Sequence, residues 1–294
     1  MQLEKSPLPA RPASARILLS TPATGNDPLS EPMIIFEDCS YRYPHAGALR
    51  PALDKVDLAI GTGELVAVVG ANGSGKSTLA RMANGLLLPD GGSVRVKGMS
   101  TAEPGNLDAI RETVGMVFQN PESQIVANSV EDDIAFGLEN IGLPVAEIEE
   151  RIEEALGVFG LEELRGREPH WLSGGQKQRT VLAGVMALQP GLLVLDEPTS
   201  MLDPRSQREF IDYIDSLRRD GTAIIYITHI MREAATADRV VVLSEGRVVA
   251  DAGPREVFSD EGLLRSAGLD APLPVRLSRA LDAPVALTLE ELVG

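Results

Sequence analysis

Three short runs in this sequence combine residue types and spacings that suit chemistry on a phosphate group. The first is Gly70-Ala71-Asn72-Gly73-Ser74-Gly75-Lys76-Ser77-Thr78, which fits the pattern G-x-x-x-x-G-K-[ST]. Its glycines let the backbone wrap so that successive N–H groups converge on phosphate oxygens. A helix starting near Lys76 adds its positive end to the same anion site. Lys76 reaches the β- and γ-phosphates of a nucleotide, and the Ser77 hydroxyl is a ligand for Mg2+. The second run is Leu193-Val194-Leu195-Asp196-Glu197-Pro198. Apolar residues ending in acids suit a buried strand that presents a carboxylate at its C-terminal end, where open α/β sheets bind ligands. Asp196 is placed to hold Mg2+, directly or through water, and Glu197 to polarise an attacking water. The third run is Leu172-Ser173-Gly174-Gly175-Gln176-Lys177-Gln178-Arg179. Ser173 is a helix N-cap, and Gln176 three residues on completes a capping box. Gly174 and Gly175 leave the first N–H groups of that helix open to a phosphate.

These runs need strands to carry them and helices to back them. Leu65-Val66-Ala67-Val68-Val69 is apolar at every position, which predicts a strand buried on both faces of a mostly parallel sheet. Residues 114–118, 192–195, 223–228 and 240–243 read the same way. Residues 53–60 alternate, with Val56, Leu58 and Ile60 on one face. Helical patterns fall between the strands, at 78–87, within the acidic stretch 130–163, at 176–188 and at 206–219. Strands alternating with helices predict an α/β fold.

Composition sets limits on function. The 294 residues hold 27 Lys and Arg against 43 Asp and Glu, a formal charge of −16. That balance excludes non-specific nucleic-acid binding as a main activity, since phosphate backbones are gripped by clustered bases. It also disfavours direct attraction to anionic lipid. No stretch reaches the ~18 apolar residues of a membrane span, and the first thirty residues lack the apolar core of a signal peptide. Membrane association is therefore expected only through partners. The single cysteine, Cys39, fits a reducing compartment and reads as a half-buried structural residue. Residues 1–32, with Pro7, Pro9, Pro12, Pro22 and Pro28, read as an unpacked tail.

The three runs together resemble the ABC-type ATPases, the nucleotide-binding subunits of ATP-binding-cassette transporters, with Leu172 to Gln176 matching the family signature. The resemblance covers about residues 33–270. It implies a P-loop NTPase cassette with a mostly parallel core sheet, an antiparallel β subdomain and a helical subdomain at about 120–185. It further implies that Tyr43 stacks on adenine, although on the residues alone Tyr43 is a strand-edge tyrosine of a hairpin. Gln119 matches the loop glutamine that senses Mg2+, water and the membrane partner. Asp203, in Ser200-Met201-Leu202-Asp203, matches the loop that crosses the dimer interface. His229 matches the switch histidine that contacts the γ-phosphate. His45 and His170 match no catalytic position.

A narrower resemblance rests on three further runs. Gln119-Asn120-Pro121-Glu122-Ser123-Gln124, residues 129–137, and Ser200 to Pro204 are similar to energy-coupling-factor (ECF) ATPases and related cobalt and nickel importers. This implies ATP hydrolysis driving substrate import at the cytoplasmic face of the cell membrane. The partners implied are a second ATPase subunit, identical or paralogous, a transmembrane T component and a substrate-binding S component. A helix near 121–128 would line the groove that receives the T component. Residues 271–294 resemble a C-terminal extension that aids dimerisation, or else pack on their own domain. Residues 131–163 carry eleven acids and one base, either as a solvated helical face or, at Glu131 and Asp132, as a surface facing basic groups on the membrane partner. The alternatives are another ABC importer, for metal ions or amino acids, or a soluble ABC protein acting on ribosomes or DNA. The single set of motifs and the lack of sustained heptads stand against the soluble class.

Overall fold

The computed structural model describes residues 31–44 and 50–293. Nearly all of the Pro-rich tail, together with His45, lies outside them. The core is a six-stranded sheet in the order β10-β9-β3-β8-β7-β6. Its strands are β3 (Leu65–Val69), β6 (Val114–Val117), β7 (Leu192–Asp196), β8 (Ala223–Ile227), β9 (Arg239–Ser244) and β10 (Arg247–Ala252). All pairings are parallel except β9 with β10. The continuous apolar runs follow from a core on each face. Ala67, Val69, Leu193 and Leu195 point into one core. Val66, Val68, Leu192 and Val194 point into the other. Each fully buried Val or Leu contributes about 1.5–3 kcal/mol, which is why neither face tolerates a polar residue.

The second core is closed by a four-stranded antiparallel sheet ordered β2-β1-β4-β5. Its strands are β1 (Ile34–Tyr41), β2 (Leu53–Ile60), β4 (Gly91–Val96) and β5 (Met99–Ser100). Cys39 lies in β1 and is fully buried rather than half-buried, with its Sγ donating to the Ser93 carbonyl at 3.0 Å. Burial pushes the thiol up to about 11, so it stays protonated and inert.

Helices α3 (Val130–Asn140), α4 (Val145–Phe159), α5 (Gly174–Ala187) and α6 (Pro204–Arg219) fill the other face. α1 (Lys76–Ala83) packs instead into the second core, as does Ile110 of α2 (Leu107–Thr113), which leads into β6. A short α7 (Met231–Ala234) follows β8, and α8 to α11 (Pro254–Ser259, Glu261–Ser266, Leu273–Ala280, Leu289–Val293) end the chain. Val275 of α10 packs into the helical core, and Arg279 donates to the Phe258 carbonyl at 2.8 Å. Among the described residues no helix is long and apolar enough to cross a membrane.

One expectation changes here. Residues 121–128 form no helix beyond a 3₁₀ turn at Pro121–Ser123. The backbone N–H groups of Val126 and Ala127 donate instead to the Asp133 carboxylate, at 2.9 and 3.2 Å. The acidic stretch also has local partners. Glu131, Asp132 and Asp133 fill the first turn of α3, where the helix dipole favours negative charge. Arg165 binds both Glu131 and Glu153, and Arg151 binds Glu147 at 2.7 Å. Asp132 accepts from the Ser129 hydroxyl at 2.7 Å. Glu131 and Asp132 thus have partners within the chain, while Asp132, Glu139, Glu149 and Glu150 stay exposed as a solvated helical face would have them.

Candidate nucleotide site

Sheet order explains how the scattered motifs meet. β3, β8, β7 and β6 are consecutive neighbours and run parallel. Their C-terminal ends carry the Gly70–Thr78 loop, His229, Asp196 with Glu197, and Gln119. One edge of the sheet therefore presents all four.

The loop after β3 is built around its glycines. Gly70 and Gly75 have φ of +157° and +111°, and a Cβ on either would lie 2.2 Å from the Leu243 carbonyl oxygen or 2.5 Å from the Ala52 carbonyl oxygen. Gly73, at φ +79°, has open space around it. α1 starts with Gly75 as N-cap and no side-chain cap, so its first N–H groups face the loop's concave side. Lys76, only 7% exposed, closes the loop from within. Its Nζ donates to the carbonyls of Gly70 at 2.8 Å and Ala71 at 3.0 Å. Burial lowers the ammonium's pKa, against the opposing charges of Glu197 and Asp196. The Ser74 hydroxyl is buried without a hydrogen-bond partner.

Opposite lie the acids. Asp196 is buried, and burial raises its carboxyl pKa against a hydrogen bond from Ser77. A buried carboxylate touching a hydroxyl suits a cation. Asp196, Ser77 and Gln119 carry the oxygen ligands that could hold a cation such as Mg2+. Glu197 occupies the left-handed region at φ +51°, with its N–H bound to the Ile227 carbonyl at 2.9 Å. Its Oε2 accepts from Gln119 Nε2 at 2.8 Å and lies 3.3 Å from His229 Nδ1. Glu197 is therefore held between the two residues that flank it in the sheet order.

Lys76, Ser77, Gln119, Glu197 and His229 line one cleft of about 1030 Å³, together with Tyr43, Asn72, Gly73, Gly75 and Thr78, while buried Asp196 does not reach its lining. Tyr43 lies past the end of β1 rather than on a strand edge. Its OH is 3.3 Å from the Thr78 hydroxyl and accepts from Arg81 at 3.3 Å. The signature run is elsewhere. Ser173 and Gln176 form a complete capping box at the head of α5. Ser173, Gly174 and Gly175 do not line the cleft. Gly174 and Gly175 instead pack near Met201 and Leu202. Asp203 is also outside the cleft, where it caps α6 by accepting from Arg205 N at 3.1 Å and Ser206 N at 3.3 Å.

The profile of the ABC transporter family matches residues 53–200. An energy-coupling factor transporter ATP-binding protein, EcfA1 of Symbiobacterium thermophilum, is 50% identical over 277 residues, covering 90% of this chain and 96% of that protein. The chain belongs to the ABC transporter family, among its energy-coupling factor ATP-binding proteins. A relative from Enterococcus faecium, EcfA, is 48% identical over 252 residues, 85% of this chain and 90% of its own. Among solved structures, cbiO1 of Clostridium perfringens, described as part of the ABC transporter complex cbiONQ, superposes with a TM-score of 0.72 at 34% identity, covering 86% of this chain and all of its own. The dimeric cassette MJ0796, bound to ADP and phosphate after hydrolysis, gives 0.70 at 27% identity, over 76% and 99% of the two chains. As a member of this ABC family, the chain binds ATP and hydrolyses it to drive transport.

Three further residues beside this ABC cassette's site have no motif role of their own to mark them. Gln124 closes the loop after β6, accepting from Phe118 N at 2.7 Å and donating to the Met116 carbonyl at 3.0 Å. Glu122, exposed in the same loop, pairs with Lys177 on the signature helix. Both stand within a quoted motif; the partner of Glu122 is 55 residues away, whereas Gln124 bonds six and eight residues back within its own loop. Arg81, one helical turn after Ser77, reaches Tyr43; its position on the exposed face of α1 was the available signal.

Proposed function

We propose that two ATPase subunits, identical or paralogous, share each hydrolysis site. The cleft of one subunit is completed by Ser173, Gly174, Gly175 and Gln176 of the other, with Asp203 beside the joint. The observation that carries this is the separation of a built phosphate cradle from an exposed, capped signature loop on the same chain.

In this reading Tyr43 stacks on adenine and the Gly70–Thr78 backbone cradles the phosphates. Lys76 Nζ leaves its two carbonyls for the β- and γ-phosphates. Ser77, Asp196 and Gln119 would hold Mg2+, which would neutralise charge on the phosphates. The Glu197 carboxylate, released by Gln119, orients and polarises a water in line with the γ-phosphate. His229 holds a γ-phosphate oxygen and stabilises its developing charge. ATP favours the closed dimer by its greater affinity for it, and loss of the γ-phosphate removes that bias.

The ATPase pair docks on a transmembrane T component, which carries a substrate-binding S component, at the cytoplasmic face of the membrane. The groove beside Gln119 and the Pro121–Ser123 turn receives the T component, and the Glu122–Lys177 pair links that groove to the signature helix. The antiparallel and parallel sheets with the helices of about 120–185 form one cassette over 33–270. Residues 271–294 form an extension whose exposed Leu273 and Leu281 serve dimerisation.

The full chain purified from detergent-solubilised membranes is expected to bring with it integral-membrane subunits of the T and S kinds. Recovery with an amino-acid or metal-ion permease alone, or with ribosomes, overturns the ECF assignment.

A further inference from the structure

Beneath the cleft lies a second polar cluster that the hydrolysis chemistry does not use. Glu233, 4% exposed, sits in α7 four residues after His229. Its carboxylate accepts from three hydroxyls: Thr199 Oγ1 at 2.9 Å, Tyr226 OH at 3.0 Å and Thr228 Oγ1 at 2.8 Å. Thr199 stands two residues after Glu197, and Thr228 directly precedes His229. Thr228 Oγ1 also accepts from Ile230 N at 3.0 Å, which turns the chain around His229. The Thr199 carbonyl is held in turn by Gln207 Nε2 at 3.2 Å. One buried carboxylate thus ties together the bases of the two loops whose side chains meet 3.3 Å apart at Glu197 and His229.

Packing alone does not fix this arrangement. A cavity of about 250 Å³ borders both Tyr226 and Glu233, so the cluster has room on one side. Hydrogen bonds to a buried charge are strong and directional, and they hold the geometry where contacts are missing.

We infer that Glu233 is a positioning residue that sets the spacing of Glu197 and His229 by bridging Thr199 to Thr228. The inference rests on the roles proposed above for Glu197 and His229. It makes turnover, and not nucleotide binding, depend on Glu233, because no atom of the cluster lines the cleft.

The test compares ATP hydrolysis and nucleotide affinity of the full chain within its transporter complex. Glu233→Gln keeps the side chain's size but replaces one acceptor oxygen with a donor. It is expected to lower kcat at least ten-fold while KM for ATP stays within three-fold. Thr199→Val and Thr228→Val each cut one tie, and combining them is expected to cost no more than Glu233→Gln, since all three act through one carboxylate. Full kcat in Glu233→Gln, or an equal loss of kcat and nucleotide affinity, overturns the inference. If Glu233→Gln does not fold, wild-type kcat in the double threonine variant overturns it instead. Glu197→Gln run alongside separates the two levels. Normal turnover there sinks the proposed site chemistry, whereas an inactive Glu197→Gln beside a fully active Glu233→Gln sinks only the positioning role.

Discussion

Glu197→Gln is expected to bind ATP with an affinity close to wild type and to lose at least about a hundred-fold in steady-state phosphate release, the low end of what a positioned general base contributes. The structure supports this expectation in three ways. The Glu197 carboxylate lines the cleft beside Lys76 and Ser77. It is held by Gln119 and His229 at the ends of the flanking strands. Its backbone also sits in the left-handed region, which costs a non-glycine residue about 1 kcal/mol. Such strain persists where the surroundings over-determine a functional geometry. Glutamine fills the same volume and still hydrogen-bonds to Gln119, but it cannot take a proton. Phosphate release measured beside equilibrium nucleotide binding checks the result; turnover within a few-fold of wild type removes Glu197 from its role.

Lys76→Ala is expected to fail one step earlier, at nucleotide binding. Hydrogen bonds to charged groups contribute about 1.5–3 kcal/mol each. Losing the ammonium from a buried phosphate site therefore weakens ATP on the order of a hundred-fold, and turnover falls with it. The loop itself also suffers, because the Gly70 and Ala71 carbonyls lose their shared donor. Nucleotide titration alongside thermal unfolding separates the two effects. A variant that folds like wild type and binds ATP equally well contradicts the phosphate-cradle reading.

How far the sequence announces this site depends on the range of the interactions. β3 and β7 are legible because both faces of the core sheet are buried, so Leu65 to Val69 and Leu192 to Leu195 read as unbroken apolar runs. The phosphate loop and the capping box at Ser173 are legible because their chemistry is local. The antiparallel sheet is less so. β1 shifts register against β2 between Phe36 and Tyr41 and carries Asp38 at φ +48°, which blurs any two-residue alternation. Of the sheet's strands β2 is legible from the alternation of residues 53–60, while the antiparallel subdomain as a whole is implied only by the family resemblance. The helix expected at 121–128 fails because Asp133, further along the chain, takes the N–H groups of Val126 and Ala127. The acidic run looked like a free surface because Arg165, which binds Glu131 and Glu153, lies beyond it. Glu233 was the least visible. A Glu four residues after His229 is unremarkable until Thr199, thirty-four residues earlier, folds against it.

The central claim is that the cleft and the signature loop of one chain serve different nucleotides. Ser173 is exposed, and its chain's own cleft does not include it. The most direct measurement is therefore made on Ser173→Arg, by comparing the ATP affinity of the isolated chain with hydrolysis by the assembled complex. A shared site predicts affinity within two-fold of wild type and at least a ten-fold loss of hydrolysis, because the arginine obstructs only the partner's nucleotide. Wild-type hydrolysis in the complex, or an affinity loss in the isolated chain that matches the loss of turnover, contradicts it.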